Sequence, residues 1–148
     1  MFPVFHGLAL AKLHYANSCL LSLMIRSVAL SRFSICVSSY KDAEYLPACI
    51  DSVLHQSFAD FELVIVDDGS PDSTASILKD YAERDSRIKP IIKSLNEGVH
   101  LGRKSAVEHC SGDLIILLDS DDELEPGFLS ELNDYSLAHP ADIYHFGI

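Results

Sequence analysis

Leu114-Ile115-Ile116-Leu117-Leu118-Asp119-Ser120-Asp121-Asp122 is an unbroken apolar run that ends in three carboxylates within four positions. Five apolar residues in a row predict a strand buried on both faces, as in a parallel sheet covered by helices. Such a strand delivers the residues after it to the carboxyl edge of the sheet, where open α/β folds bind ligands. Acids packed this closely repel one another unless a cation or a positive partner relieves them. Their hard oxygen donors suit Mg²⁺ or Mn²⁺. Alone, the run would read as a solvated acidic turn leading into a helix N-terminus. The rest of the chain argues otherwise.

Working outward, strands and helices alternate. Phe33–Val37 is a short β-rich run, and 45–57 places Leu46, Ile50, Val53 and Leu54 on one helical face, with Pro47 tolerated in the first turn. Phe61–Val66 predicts a second buried strand, Asp67-Asp68-Gly69-Ser70-Pro71-Asp72 its turn, and the helix after it turns Ile77, Leu78, Tyr81 and Ala82 inward. Residues 87–92 predict a weaker strand, and Pro90 within it suits a sheet edge. A helix follows the Asn96-Glu97-Gly98 turn and stops at Ser111-Gly112. The 113–118 strand, a helix around 128–135 and a strand over 142–148 complete the pattern. This alternation predicts an α/β fold with a doubly wound, mostly parallel sheet. The final apolar run has no closing helix behind it, which predicts a domain truncated at its C-terminus.

Charge is unevenly distributed. Of the 148 residues, 1–41 carry no Asp or Glu, whereas 42–148 hold all 22 acids against seven bases, a net charge of −15. That excess argues against nucleic acid as a partner, which needs a basic footprint. An anionic substrate would be opposed by the protein's own field unless a metal mediates. Cys19, Cys36, Cys49 and Cys110 form no CxxC pair, so free buried thiols in a reducing cytosol are expected. The acid-poor segment 1–30 is broken by Lys12, His14, Asn17 and Arg26, too often for a spanning helix. It is expected to be an extension outside the core, with Met24 as a candidate natural start, and 31–148 to be the domain proper. A membrane-surface role for the segment is an open alternative.

Two predicted strands end in clustered acids, Asp67-Asp68 and Asp119 to Asp122. In a parallel sheet both clusters face one crevice. A metal at the later cluster would neutralise a diphosphate and stabilise a leaving group. The earlier cluster suits a different task. A carboxylate only accepts hydrogen bonds, which fits the N3–H of uracil or ribose hydroxyls and disfavours cytosine. Thymine passes the same test.

These residues resemble a known family. Ser34-Ile35-Cys36-Val37 with Tyr40, Glu44-Tyr45-Leu46 and Cys49–Ser57 looks like the opening of the family 2 glycosyltransferases of the GT-A fold. Phe61–Ser73 is similar to that family's second-strand motif. Asn96-Glu97-Gly98-Val99, Arg103, Ser111-Gly112-Asp113 and Asp119-Ser120-Asp121-Asp122 resemble its third block and DxD motif. The likeness runs over about 33–148 in order and spacing, and the joint arrangement is far more specific than any one piece.

The resemblance implies an inverting transferase that moves a sugar from a nucleotide-sugar donor, commonly a UDP-sugar, to an acceptor hydroxyl with Mn²⁺ or Mg²⁺. By position, Asp67 and Asp68 would contact base and ribose, and Tyr40 and Glu44 would line the nucleoside pocket. Asp119 and Asp121 would hold metal and donor, with Asp122 in support. Arg103 would lie near the nucleotide; the plain alternative is a surface cation paired with Glu97 or Glu108. Glu44 reads more readily as an ordinary first-turn acid than as a base contact. His55, His100 and His109 read as surface residues. The family's general base falls beyond Ile148, so no catalytic residue is assigned, and weak donor binding with little turnover is expected of this chain alone.

The sequence departs from the family pattern at Ser38 (usually Pro), Lys41 (usually Asn) and Lys104 (often Asn). Lys41 and Lys104 are expected to add positive charge near the phosphates. The implied setting is surface polysaccharide or glycolipid synthesis, with a saccharide or lipid-linked acceptor, in the cytoplasm or at the inner face of the membrane as a peripheral protein. A second reading is a catalytically incompetent nucleotide-sugar-binding module. A receiver-like domain would need a lone acceptor Asp and a Lys after the last strand. A nucleotidyltransferase would need a Gly-rich loop where Ser38-Ser39-Tyr40-Lys41 stands.

Overall fold

The computed structural model describes residues 9–12 and 31–145. In chain order the elements are β1 Ala9–Lys12, β2 Phe33–Ser39, α1 Leu46–Leu54, β3 Phe61–Asp67, α2 Thr74–Arg84, β4 Ile88–Ile92, α3 Val99–Glu108, β5 Leu114–Asp119, α4 Phe128–Ala138 and β6 Ile143–His145. They build one sheet in the order β4-β3-β2-β5-β1-β6. β4, β3, β2 and β5 are parallel, while β1 lies antiparallel between β5 and β6. The predicted mostly parallel α/β sheet is therefore present, with an antiparallel end.

That end departs from the sequence reading in one respect. Ala9–Lys12 comes from the segment expected to stand outside the core, yet it pairs with Leu114–Ile116 along the open side of β5. A buried strand edge there has backbone donors and acceptors to satisfy, and a short antiparallel strand satisfies them. Cys19 and Met24 lie outside the described residues, as do residues 146–148 of the predicted last strand.

Alternation along β2 explains the layering. Phe33, Ile35 and Val37 face one side, where they meet Leu46, Ile50 and Val53 of α1, Leu78 of α2 and Leu129 and Leu132 of α4, all buried. Cys36 faces the other side with Val64, Val66, Ile115 and Ala106 of α3. Both faces of β2, β3 and β5 are thus covered, which is why these strands read as continuous apolar runs. Pro90 pairs opposite Ile65 in β4, at the edge, where its missing N–H breaks no ladder. No described helix is long and apolar enough to cross a membrane.

α3 lies close to the sheet because its contact residues are small. A Cβ on Gly102 would overlap Ser38 Oγ. Gly102→Ala is therefore expected to destabilise the fold by about 1–3 kcal/mol through overpacking. Ser38→Gly in the same chain should return most of that loss. Urea unfolding of the single and double variants checks it; additive losses would show that the two residues do not share the space.

Among the described residues Cys36 and Cys49 are buried free thiols and Cys110 is a half-buried one. Cys36 and Cys110 face each other with their sulfurs 3.0 Å apart.

Candidate functional site

The register of the central strands fixes what meets at the carboxyl edge. Ser39 of β2 pairs with Asp67 of β3, and Ser38 pairs with Asp119 of β5. The loops leaving β2, β3 and β5 therefore start side by side. Together with the turn before α3 they enclose a cleft of about 330 Å³, within the range of small-molecule sites. Its walls include Tyr40, Asp42, Asp68, Arg103, Asp119 and Asp121. The two acidic clusters converge on one crevice.

Hydrogen bonds tie these loops to one another. Asp42 Oδ2 accepts from Ser39 Oγ (3.1 Å), the Tyr40 amide (2.9 Å) and Ser120 Oγ (2.5 Å), which joins the loop after β2 to the loop after β5. The Lys41 amide donates to Ser70 Oγ at 3.0 Å and joins the first loop to the turn after β3. Asp68 Oδ2 accepts from the Glu97 and Gly98 amides at 3.0 and 2.7 Å, fixing the turn that opens α3. Behind the cleft wall, Lys93 Nζ pairs with Asp68 Oδ1 at 3.1 Å and with Glu97 at 2.8 Å. Burial alone would push the Lys93 ammonium down, but the carboxylates of Glu97 and Asp68 beside it outweigh that and hold it above its ordinary value.

Gly69 makes the β3 turn possible. It sits at φ +75°, and a Cβ there would come within 2.7 Å of the Leu95 carbonyl carbon. Lys41 adopts φ 65°, a left-handed conformation that Asn takes more readily than Lys. That accounts for the Asn of the resembling motif at this position.

The predicted residues divide. Tyr40, Asp68, Arg103, Asp119 and Asp121 line the cleft. Asp67 reaches the same edge but is buried, and its Oδ1 accepts from the Ser70 amide at 2.9 Å, so it holds the turn rather than forming the wall. Glu44 is exposed on the approach to α1 and is not part of the wall. Asp122 also stands outside the wall, its amide donating to the Asp119 carbonyl at 3.1 Å. Arg103 pairs with neither Glu97 nor Glu108; its guanidinium meets Asp119 Oδ1. Lys41 Nζ lies 5.1 Å from the Tyr40 ring centroid. Lys104 is exposed and pairs with Glu108 at 3.7 Å, away from the cleft. His55, His100 and His109 are exposed. Asp42 was missed, although it follows a parallel strand just as Asp68 and Asp121 do.

The chemistry of the cleft floor fits a hard cation in part. Asp119 and Asp121 offer carboxylate oxygens to it. The negative field reaches Cys49, whose thiol is pushed up to about 12 by burial and then by Asp122, Asp121, Glu123 and Asp119. Yet among the described residues no three His, Cys, Asp or Glu side chains stand together as a metal cage. Mg²⁺-type ions are commonly held by one or two carboxylates, with substrate phosphates and water completing the shell. The residues present fit that arrangement and not an all-protein site.

Comparison with known proteins identifies the family. The profile described as Glycosyl transferase family 2 matches residues 34–148. The chain is 33% identical over 114 residues to the glycosyltransferase EpsJ of Bacillus subtilis, covering 77% of this chain and 33% of that protein. It is 38% identical over 105 residues to chondroitin synthase of Escherichia coli, covering 69% of this chain and 15% of that protein. Among solved structures it is similar to Staphylococcus aureus TarS in complex with UDP-GlcNAc. The TM-score is 0.69 at 28% identity, covering 73% of this chain and 32% of that one. The chain thus spans a third or less of the length of each of these proteins.

Proposed function

The chain belongs to glycosyl transferase family 2, and from that premise we propose that its cleft binds the nucleoside diphosphate half of a sugar donor, a UDP-sugar by preference. The observation that carries this reading is the convergence of Asp68, Asp119 and Asp121 on one cleft at the carboxyl edge of β2, β3 and β5. The UDP and UDP-GlcNAc complexes of TarS support the choice of donor.

Each wall residue then has a task. Tyr40 offers an aromatic face at the rim, suited to stacking on the base. Asp68 holds the Glu97–Gly98 turn at the cleft wall, and as a carboxylate it can only accept hydrogen bonds from a base or ribose. The N3–H of uracil or thymine, or a ribose hydroxyl, fits that place; the N3 acceptor of cytosine does not. Asp119 and Asp121 would hold Mn²⁺ or Mg²⁺ together with phosphate oxygens. Such an ion, when bound, neutralises the diphosphate and eases its departure. The reaction proposed for the whole protein is inverting transfer of the sugar to an acceptor hydroxyl in surface polysaccharide or glycolipid synthesis. A Campylobacter jejuni relative named as an undecaprenol-linked oligosaccharide glucosyltransferase supports a lipid-linked acceptor. The active protein would then work in the cytoplasm, at the inner face of the membrane.

Calorimetry with UDP, dTDP, GDP and CDP, each with and without Mn²⁺, tests the assignment. UDP and dTDP are expected to bind at least about tenfold tighter than CDP, roughly the worth of one hydrogen bond at a charged acceptor. Mn²⁺ should strengthen both. Equal binding of all four nucleotides, or indifference to the metal, would count against the reading.

A further inference from the structure

Four acids face the cleft, Asp42, Asp68, Asp119 and Asp121, and Arg103 is the cation in its wall. Asp68 is already neutralised from behind by Lys93 and accepts two amide hydrogen bonds. Asp42 already accepts from Ser39, Tyr40 and Ser120. Arg103 engages Asp119, one of the two carboxylates suited to a divalent ion, through Oδ1. The pair is open to solvent, with side-chain exposures of 38% for Arg103 and 41% for Asp119. Ion pairs this exposed are weakly held. A guanidinium and a divalent cation cannot both sit against one carboxylate oxygen without strong mutual repulsion.

We propose that Arg103 is an exchangeable counter-ion of Asp119, which competes with a divalent cation for that carboxylate and, once displaced, turns its guanidinium to the diphosphate of the donor. This rests on reading the cleft as a nucleoside diphosphate site. A planar guanidinium suits such a hand-over, because its fork of donors matches carboxylate and phosphate geometry alike. The exchange couples the two ligands. The metal releases Arg103, and the phosphates give the released charge a new partner, so each favours the other's binding. It also meets the problem of bringing an anionic donor to an acidic protein, since the local positive charge is freed only as the metal binds.

The test separates the two halves of the exchange. Binding of Mn²⁺ alone is followed through the electron paramagnetic resonance of the free ion, and binding of UDP at saturating Mn²⁺ by calorimetry. The proteins are the unaltered chain, Arg103→Gln, Arg103→Lys, Asp119→Asn and the Asp119→Asn/Arg103→Gln double variant, with circular dichroism confirming the fold. Arg103→Gln should bind Mn²⁺ about fivefold tighter, the upper worth of an exposed ion pair. It should bind UDP about tenfold or more weaker, with Arg103→Lys in between on both counts. In the double variant the Mn²⁺ gain should vanish. Unchanged Mn²⁺ affinity in Arg103→Gln, or a gain that survives loss of the Asp119 charge, overturns the counter-ion claim. Unchanged UDP affinity overturns the hand-over. Absence of UDP binding in the unaltered chain defeats the nucleotide reading itself and the hand-over with it, while the Mn²⁺ arm still decides the competition.

Discussion

Asp68→Ala is expected to lower the unfolding free energy by about 3 kcal/mol and to weaken UDP binding by at least about tenfold. The carboxylate is 2% exposed and holds three groups at once. Its Oδ2 accepts from the Glu97 and Gly98 amides, and its Oδ1 faces the Lys93 ammonium. Truncation strands the Glu97 amide, leaves the Gly98 amide with Asn96 Oδ1 alone, and takes one of two anionic partners from a lysine whose side chain is only 13% exposed. Removing one member of a buried pair typically costs about 3–5 kcal/mol. Lys93 retains Glu97, which places the loss at the lower end. The binding loss has a separate origin. Without Asp68 the turn that opens α3 is no longer fixed to the end of β3, and Arg103 rides on that helix. Asp68→Asn separates the effects, since its amide oxygen still accepts from the turn amides while the ion pair with Lys93 is gone. It should cost about half as much stability and keep more of the UDP affinity. Urea unfolding and calorimetry on the two variants provide the check. Full stability in Asp68→Ala would show that the turn is held by something else.

The contrast between Asp67 and Asp68 shows where a sequence stops being informative. Buried strands announce themselves in Val64-Ile65-Val66 and Ile115-Ile116-Leu117-Leu118, and the acids after them had to share an edge once the sheet was parallel. Which of two adjacent carboxylates faces the cleft depends on where the strand's two-residue alternation ends. Asp67 is the last residue of β3 and turns inward to cap Ser70, while Asp68 faces the cleft. Arg103 presented a different difficulty. Its local neighbours, Glu97 in the turn before the helix and Glu108 on it, were visible, but its partner lies 16 positions away, on the strand next to β2. Pairing across a sheet edge is set by register, which a single sequence does not encode locally. The antiparallel β1 was hidden for a related reason. Four residues without strong alternation acquire strand structure by bonding to the open side of β5 and to β6. Glu62, by contrast, was legible and passed over. An acid inside an otherwise apolar strand must find donors, because a buried unpaired charge is too costly to persist.

Those donors set the other large effect, expected for Glu62→Ala at about 3 kcal/mol of lost stability at neutral pH. Glu62 is 2% exposed on β3 and accepts from Ser34 Oγ and the Ser111 amide, both at 2.5 Å, from Ser111 Oγ at 2.9 Å, and from Lys89. Ser34 in turn accepts from the Gly112 amide at 2.8 Å, so the carboxylate organises the bend that leads from α3 into β5. Truncation leaves the fully buried Ser34 hydroxyl and the Ser111 amide without their acceptor, each worth roughly 1–3 kcal/mol. Lys89 is half exposed and turns to water, so its loss adds little. The same contacts dictate a pH dependence. Burial pushes the Glu62 carboxyl up, but hydrogen bonds from Lys89, Ser34 and Ser111 outweigh it and hold the group below its ordinary value. A carboxyl depressed on folding contributes stability that is complete above the unfolded value of about 4.3 and is lost as pH falls through the lower native value. Glu62→Gln keeps an oxygen for Ser34 and the Ser111 amide but sets an amide nitrogen against Lys89, so it should cost less than alanine at pH 7. Its gap from the unaltered chain should narrow as the solution is acidified below the ordinary glutamate range. Equilibrium urea melts of the three proteins between about pH 7 and pH 3 measure that gap. A difference that does not change across the series would mean that the strand holds Glu62 in its neutral form, and the bend from α3 into β5 would then need another source of strength.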